Sequence, residues 1–363
     1  MAETSALSVE RTSNPTTAER RAELLREPGF GRYYTDHMVL VEWSPDRGWH
    51  DAAVKPYAPL AFDPATSVLH YGQAIFEGFK AYRQPDGSIA TFRPEANAAR
   101  FQRSAARLAL PQLPVDLFVD ACDELVRVEQ DWVPSAPETS LYLRPFMLGT
   151  EIGLGVRPSA NALFCVIASP AGAYFSGGVK PVTLWLSEEY VRASPGGTGA
   201  AKCAGNYAAS LIAQREAADN GCDQVVFLDA VEKKWIEELG GMNLFFVLDD
   251  ETLATPETSG TILEGITRES LITLAGDLGH KVDERRIDID EWREGITSGR
   301  ITEVFACGTA AVITPVGTLK WSGGSVTTPG DGFGPVTSRL RSALLDIQYG
   351  KAEDRYGWLH RVV

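Results

Sequence analysis

From Pro195 to Tyr207 the chain reads Pro-Gly-Gly-Thr-Gly-Ala-Ala-Lys-Cys-Ala-Gly-Asn-Tyr, and Lys202 has nothing bulky beside it for several residues in either direction. Glycine permits backbone angles that other residues resist, so this stretch is expected to form a loop of special geometry. A surface lysine does not require neighbours this small. A lysine that must approach a flat ligand or a substrate carbonyl does, because larger side chains would block it. An amine held in such a place can be desolvated, which lowers its pKa and makes it a nucleophile for Schiff-base chemistry. A phosphate-cradling P-loop wants Gly directly before the lysine and Ser or Thr directly after it, and Ala201 and Cys203 stand there instead. The bland alternative is a small-residue turn with a solvated lysine, and the rest of the chain has to decide.

At 363 residues the chain suggests two domains or one large one. A formal net charge of −14 argues against nucleic acid or an anionic membrane as a general partner, while a few local arginines would still suffice for a small anionic substrate. The five cysteines are odd in number and none falls in a C-x-x-C pair. Neither a disulfide framework nor a zinc site is therefore expected, and a reducing compartment is. The histidines His37, His50, His70, His280 and His360 are scattered, which suggests no metal site. Met1 to Glu27 is polar, without the apolar run of a leader or a membrane span, so a cytoplasmic location is expected, with a helix near Thr17 to Arg26.

Short apolar runs bounded by Gly and Pro predict strands at His37–Trp43, Ser88–Phe92, Ser140–Met147 and Ala162–Ala168. Helical periodicity covers Pro94–Leu110 and Leu117–Val128, and Gly72–Gly78 reads as a short helix or turn. Ser169 to Gly178 is the linker candidate, rich in Pro, Gly and Ser. Beyond it, strands are expected at Val182–Leu186, Gln224–Asp229, Lys234–Leu239, Asn243–Leu248 and Glu303–Cys307. A helix is expected from Tyr207 to Asn220, closed by Gly221, and another from Gly265 to about Ala275. The class is α+β with mixed or antiparallel sheet, and no regular βαβ alternation supports a Rossmann-type fold.

Four features could carry chemistry. Thr261 to Arg268 is a turn into a helix N-terminus, a ready anion site, or else an ordinary helix start capped by Thr267. Gly308-Thr309-Ala310 follows a strand and can present backbone N–H groups to an anion, or be only a tight turn. Glu237 and Glu238 lie on one strand, so period two sends them to opposite faces. An inward carboxylate needs a cation or donor. Arg100, Arg144 and Arg192 sit among apolar or aromatic neighbours, where an arginine meets either a ligand or a structural carboxylate. A lysine amine, an inward carboxylate, a helix-terminal anion cup and a nearby tyrosine together match what pyridoxal 5′-phosphate requires.

The motifs Leu69-His70-Tyr71 with Phe76-Glu77-Gly78, Tyr142-Leu143-Arg144-Pro145, Gly172-Ala173-Tyr174-Phe175, Lys202 with Gly205-Asn206-Tyr207, Glu238 before Gly240-Gly241-Met242-Asn243, and Gly308-Thr309-Ala310 resemble those of the branched-chain amino acid aminotransferases. These are fold-type IV pyridoxal-phosphate enzymes, and the resemblance runs over nearly the whole chain. It implies an α+β (mixed α/β) fold of two domains with mainly antiparallel or mixed sheets: a polar extension to residue 29, a smaller domain over 30–169, an interdomain loop over 170–181 and a larger cofactor domain over 182–363.

The resemblance also implies roles. Lys202 would be the Schiff-base lysine and proton shuttle, Tyr207 would bond the cofactor ring oxygen, and Glu238 would pair with the pyridine nitrogen. Arg100, Leu263, Gly265, Ile266 and Thr267 would surround the phosphate, with Arg192 and Thr309 close by. Thr309, Ala310 and the Tyr71 hydroxyl would meet the substrate carboxylate. Phe30, Phe76, Tyr142 and Tyr174 would wall the apolar pocket, and Arg144 would receive the distal carboxylate of glutamate. Gly241 stands where the animal branch of the family has a threonine that contacts substrate. Leu154 and Val156 would reach a neighbouring subunit's pocket, which implies a homodimer. The implied reaction moves an amino group between leucine, isoleucine or valine and 2-oxoglutarate.

Overall fold

The computed structural model describes residues 7–172, 180–330 and 334–363. They fall into two compact units. One comprises Met1–Ser176, Ala201–Ala204 and Ile347–Val363, and the other Gly177–Ala200 and Gly205–Asp346.

The first unit is built on a sheet ordered Ser8–Val9, Gly48–Pro56, His37–Ser44, Ala162–Ala171, Ser140–Gly149, Phe79–Arg83, Ile89–Phe92, Leu359–Arg361. Every neighbour pair is antiparallel except the first. Helices Pro94–Arg107 and Val115–Val128 pack on it through a cluster of Phe79, Phe101, Phe118 and Phe164, with ring centroids 5.3–6.0 Å apart. Ala98, Phe101 and Ala105, spaced along one helical face, are all buried. Burying each phenylalanine contributes about 1.5–3 kcal/mol.

Two features of this unit differ from expectation. Only Val68–Tyr71 is helical, ended by Gly72 at φ 63°, while Ala74–Phe76 is a strand paired with Phe146–Leu148. The neighbouring strand buries Ile75, a tertiary contact that outweighs local turn preference. The tail also departs from the expected division, because Leu359–Arg361 pairs with Ala90–Phe92 and carries the C-terminus into this unit. Residues 7–29 are tied down rather than loose. Ser8 and Val9 pair with Ala53 and Val54, Thr17 caps the helix Ala18–Leu24, and the Thr12 N–H donates to His37 Nε2 at 2.9 Å. That contact leaves the His37 proton on Nδ1, which faces the buried Glu129 carboxylate.

The second unit has a sheet ordered Ile236–Leu239, Gln224–Leu228, Val182–Ser187, Val312–Trp321, Ile301–Gly308, Asn243–Leu248, Leu253–Pro256, Val282–Arg285. Ile236–Leu239 and Asn243–Leu248 are far apart in this order. A three-residue turn joins them, closed by the Leu239 N–H donating to the Met242 carbonyl at 2.9 Å, so the sheet curls back on itself. Val182–Ser187 runs parallel to Gln224–Leu228, and helix Ala204–Asp219 lies between them in the chain. This βαβ crossover, one of two in the unit, puts the stretch that begins at Pro195 after the C-terminal end of a parallel strand, where α/β sheets commonly bind ligands. The mainly antiparallel, mixed α+β class agrees with the sequence reading. Among the described residues no helix is long and apolar enough to cross a membrane.

The turn after Gln224–Leu228 depends on one carboxylate. Asp229 accepts from the N–H groups of Val231, Glu232, Lys234 and Trp235 at 2.7–3.0 Å. Burial raises its pKa, but these four donors outweigh burial and hold it below the usual value. The folded state therefore prefers the charged form, and this stabilisation is present above the ordinary carboxylate pKa and lost as pH falls through the folded value. Asp229→Ala is expected to cost about 1–3 kcal/mol at neutral pH. Urea midpoints followed against pH check this, with wild type and variant converging in acid.

Candidate active site

The four-residue segment Ala201–Ala204, with Lys202 in it, folds with the first unit. The Lys202 N–H donates to Ser104 Oγ at 2.9 Å and its carbonyl accepts from the Phe76 N–H at 3.0 Å, while Cys203 bridges to Ile75. Backbone bonds on both sides thus hold a half-buried lysine whose Nζ lies 5.0 Å from the Phe76 ring centroid. Arg144, on strand Ser140–Gly149, lies 4.9 Å from the Phe76 ring and 5.3 Å from the Tyr142 ring, and its Nη2 donates to the Tyr142 hydroxyl at 2.9 Å. Its Nε is buried without a partner among the described residues. Phe30 meets Tyr142 edge to face at 5.0 Å. Gly78 has to be glycine here, since a Cβ on it would lie 2.0 Å from the Tyr142 hydroxyl.

Phe30, Phe76, Tyr142 and Arg144 are therefore brought together. Arg100 donates from Nε and Nη2 to the two carboxylate oxygens of Glu77 at 2.7 and 2.8 Å, both side chains being buried. The Tyr71 hydroxyl donates to the Leu154 carbonyl. Leu154 and Val156 are 66% and 84% exposed. Tyr174, expected in the pocket wall, lies outside the described residues.

In the second unit, Glu238 is 2% exposed. Its Oε1 takes the Arg192 guanidinium at 2.5 Å and the Leu263 N–H at 2.8 Å. The same Arg192 Nη2 donates to the carbonyls of Gly199 and Thr261 at 2.8 and 2.6 Å. Four segments thus converge on one buried ion pair. Gly199 is held so close that a Cβ would lie 2.4 Å from the Thr261 carbonyl oxygen, so this glycine serves chain-to-chain approach. The Glu237 carboxylate, on the opposite face, accepts instead from the Thr261 hydroxyl.

Helix Ile266–Asp277 starts at Gly265, with no side chain capping it. The cap is Gly265 rather than Thr267, because Gly265 keeps extended angles while Thr267 is already helical. A Cβ on Gly265 would lie 2.0 Å from Asn243 Oδ1, and Asn243 Nδ2 donates to the Leu263 carbonyl at 3.1 Å. The Leu263–Thr267 turn is thus fastened at Leu263 and presents an uncapped helix N-terminus suited to a phosphate. Tyr207 sits near the start of helix Ala204–Asp219, its ring 3.7 Å from where a Cβ on Gly241 would stand. Gly308-Thr309-Ala310 ends strand Ile301–Gly308. Just beyond it Val312 adopts φ 61°, a strained angle for a β-branched residue. An inward anion beside a captured cation, an uncapped helix start and a small-residue turn match the donor set that the expected cofactor requires.

Sequence reasoning missed Ser104, Asn243 and the clamp in which Thr198 Oγ1 donates to Asn206 Oδ1 at 2.7 Å and Asn206 Nδ2 donates to the Thr198 carbonyl at 2.8 Å. Asn206 and Asn243 each follow a glycine-containing turn, a faint signal of local backbone capture. Ser104 leaves no signal, since its partner is distant in the chain.

The family model for amino-transferase class IV matches residues 74–319. A probable branched-chain-amino-acid aminotransferase of Streptomyces coelicolor is 61% identical over 350 residues, covering 96% of each chain. The branched-chain-amino-acid aminotransferase of Mycolicibacterium smegmatis is 58% identical over 98% of this chain and 97% of its own. Among solved structures, the Escherichia coli branched-chain amino acid aminotransferase matches at a TM-score of 0.73 and 30% identity, covering 90% of this chain and 99% of its own. The branched-chain enzyme of Thermobaculum terrenum, solved in its PLP form, matches at 0.71 and 25%, covering 90% and 98%.

Gly265→Ala is expected to push Asn243 off the Leu263 carbonyl and disorder the uncapped turn. Cofactor affinity, read by titrating visible absorbance, should fall roughly tenfold or more, equivalent to about 1.4 kcal/mol.

Proposed function

The chain belongs to the class IV aminotransferases, as a pyridoxal-phosphate-dependent branched-chain amino acid aminotransferase of fold type IV, and from that premise we propose that it transfers the amino group reversibly between L-leucine, L-isoleucine or L-valine and 2-oxoglutarate. Lys202 is the lysine that holds the cofactor through its amine. The observation that carries the substrate reading is the Arg144 guanidinium set against the Phe76 and Tyr142 rings. Aromatic faces accept a branched apolar chain, and a guanidinium with a spare buried donor accepts the distal carboxylate of glutamate. One pocket can then serve both partners of the exchange in turn. A hydrophobic pocket separates single methylenes by only about 1–3 kcal/mol, so all three branched amino acids should serve.

When bound, pyridoxal phosphate supplies the electron sink that acidifies the substrate α-proton. This chain's residues do the rest. Lys202 Nζ would be the base that moves a proton between the substrate α-carbon and the cofactor's C4′. Glu238, positioned by Arg192 and the Leu263 N–H, holds the pyridine nitrogen protonated. The N-terminus at Gly265, Ile266 and Thr267 takes the phosphate, with Arg100, Arg192 and Thr309 adding positive or donor groups near it. The Tyr207 hydroxyl bonds the ring oxygen. The N–H groups of Thr309 and Ala310 and the Tyr71 hydroxyl receive the α-carboxylate, and Phe30 adds to the apolar wall. The exposed Leu154 and Val156 support a homodimer in which each subunit completes the other's pocket. Five buried, free cysteines are in keeping with a reducing, cytoplasmic setting.

Borohydride reduction followed by peptide mass mapping should place the cofactor on the peptide containing Lys202; any other peptide refutes the assignment. L-Leucine should be a far better donor than D-alanine, and the reverse would point to a D-amino acid aminotransferase of the same fold type. Arg144→Gln should raise KM for 2-oxoglutarate at least tenfold, about 1.4 kcal/mol, while changing that for leucine much less.

A further inference from the structure

A cavity of about 240 Å³ opens beside the start of strand Ile236–Leu239, where Ile236 and Glu237 line it and Glu238 does not. The alternation that turns Glu238 toward Arg192 turns Glu237 into this cavity's wall. Glu237 is 5% exposed. Its Oε1 accepts from the Thr261 hydroxyl, which also lies 2.8 Å from Ser259 Oγ. Its Oε2 is buried and has no partner among the described residues. A buried carboxylate oxygen without a donor is unfavourable, so a donor brought by a ligand would be favoured.

The surrounding charge selects the ligand's sign. Around the cavity stand the carboxylates of Asp229, Glu232, Glu237 and Glu257 and the guanidinium of Arg286. Asp229 is used up by its own turn, and Arg286 is shared between Glu232 at 3.8 Å and Glu257 at 3.5 Å. Among the described residues no cation bonds Glu237 Oε2, and an anionic ligand would meet a surplus of negative charge. The hydroxyl residues Ser259 and Thr261 and an apolar surface of Ile236, Ile262, Pro256 and the Trp235 ring complete the wall. At about 30 Å³ for each water-sized atom group, the cavity holds roughly eight non-hydrogen atoms.

We propose that this cavity is a second binding site, separate from the catalytic one, for a small monocationic amine with an apolar body, its ammonium group paired with the Glu237 carboxylate. Burial pushes the Glu237 carboxyl up, against the Thr261 hydroxyl bond and the Arg192 charge, and an ammonium group beside it would favour its charged form. Thr261 belongs to both sites, since its hydroxyl binds Glu237 and its carbonyl binds Arg192.

The test is calorimetric titration of the cofactor-loaded enzyme with N,N-dimethylisobutylamine, a tertiary amine that cannot condense with an aldehyde. One saturable site per chain is expected. Glu237→Gln should weaken binding at least tenfold. Ser259→Trp, at an exposed position on the cavity mouth, leaves the buried carboxyl intact and should abolish binding by filling the space. This second variant carries the test if the first does not fold. Absence of saturable binding, or equal affinity in wild type and either folded variant, overturns the proposal.

Discussion

The Arg192–Glu238 ion pair is the joint on which the arrangement of the second unit depends. Two charges taken out of water at this depth cost several kcal/mol each unless their remaining bonding capacity is met. Here it largely is. Arg192 bonds Glu238 and the carbonyls of Gly199 and Thr261, and the Leu263 N–H adds a second donor to Glu238. The pair is thereby more than a contact between two side chains. It sets the positions of the glycine-rich stretch at Gly199, the Thr261–Leu263 turn and the Ile236–Leu239 strand together. Removing either partner would leave an uncompensated buried charge, a loss of about 3–5 kcal/mol.

Such convergence demands small residues where chain passes close to chain. A Cβ would lie 2.4 Å from the Thr261 backbone at Gly199, 2.0 Å from Tyr142 at Gly78 and 2.0 Å from Asn243 at Gly265. All three glycines fall in motifs that stand out in the sequence, where their natural reading is room for a ligand. The structure gives them a prior purpose, which is to let the polypeptide approach itself. Gly205 contrasts with them, since nothing lies within 4 Å of its Cβ position.

Much of the local structure was legible. The helices over Pro94–Arg107, Val115–Val128 and Ala204–Asp219 follow from periodicity and terminal signals, with ends shifted by a few residues. Short strands were harder, as Ala74–Phe76 shows, because three apolar residues carry no period and their state is decided by a neighbouring strand. In the site, alternation could say that Glu237 and Glu238 part company but not which one meets a cation. The arginines show the same limit. Arg192 and Arg100 both announce themselves by apolar neighbours, yet the carboxylates they hold, Glu238 and Glu77, sit on other elements far along the chain.

The sequence by itself determined the α+β class, the lysine in its small-residue stretch, the opposed glutamates and the glycine-led helix start, because each depends on angles and spacings within a few residues. Only the tertiary structure decided that Ser104 receives the Lys202 N–H across 98 residues, that Asn243 fastens Leu263, and that Glu237 is left facing a cavity. Closing a loop costs only slowly more as it lengthens. Partners can therefore be drawn from anywhere in the chain, and local pattern holds no record of which ones meet.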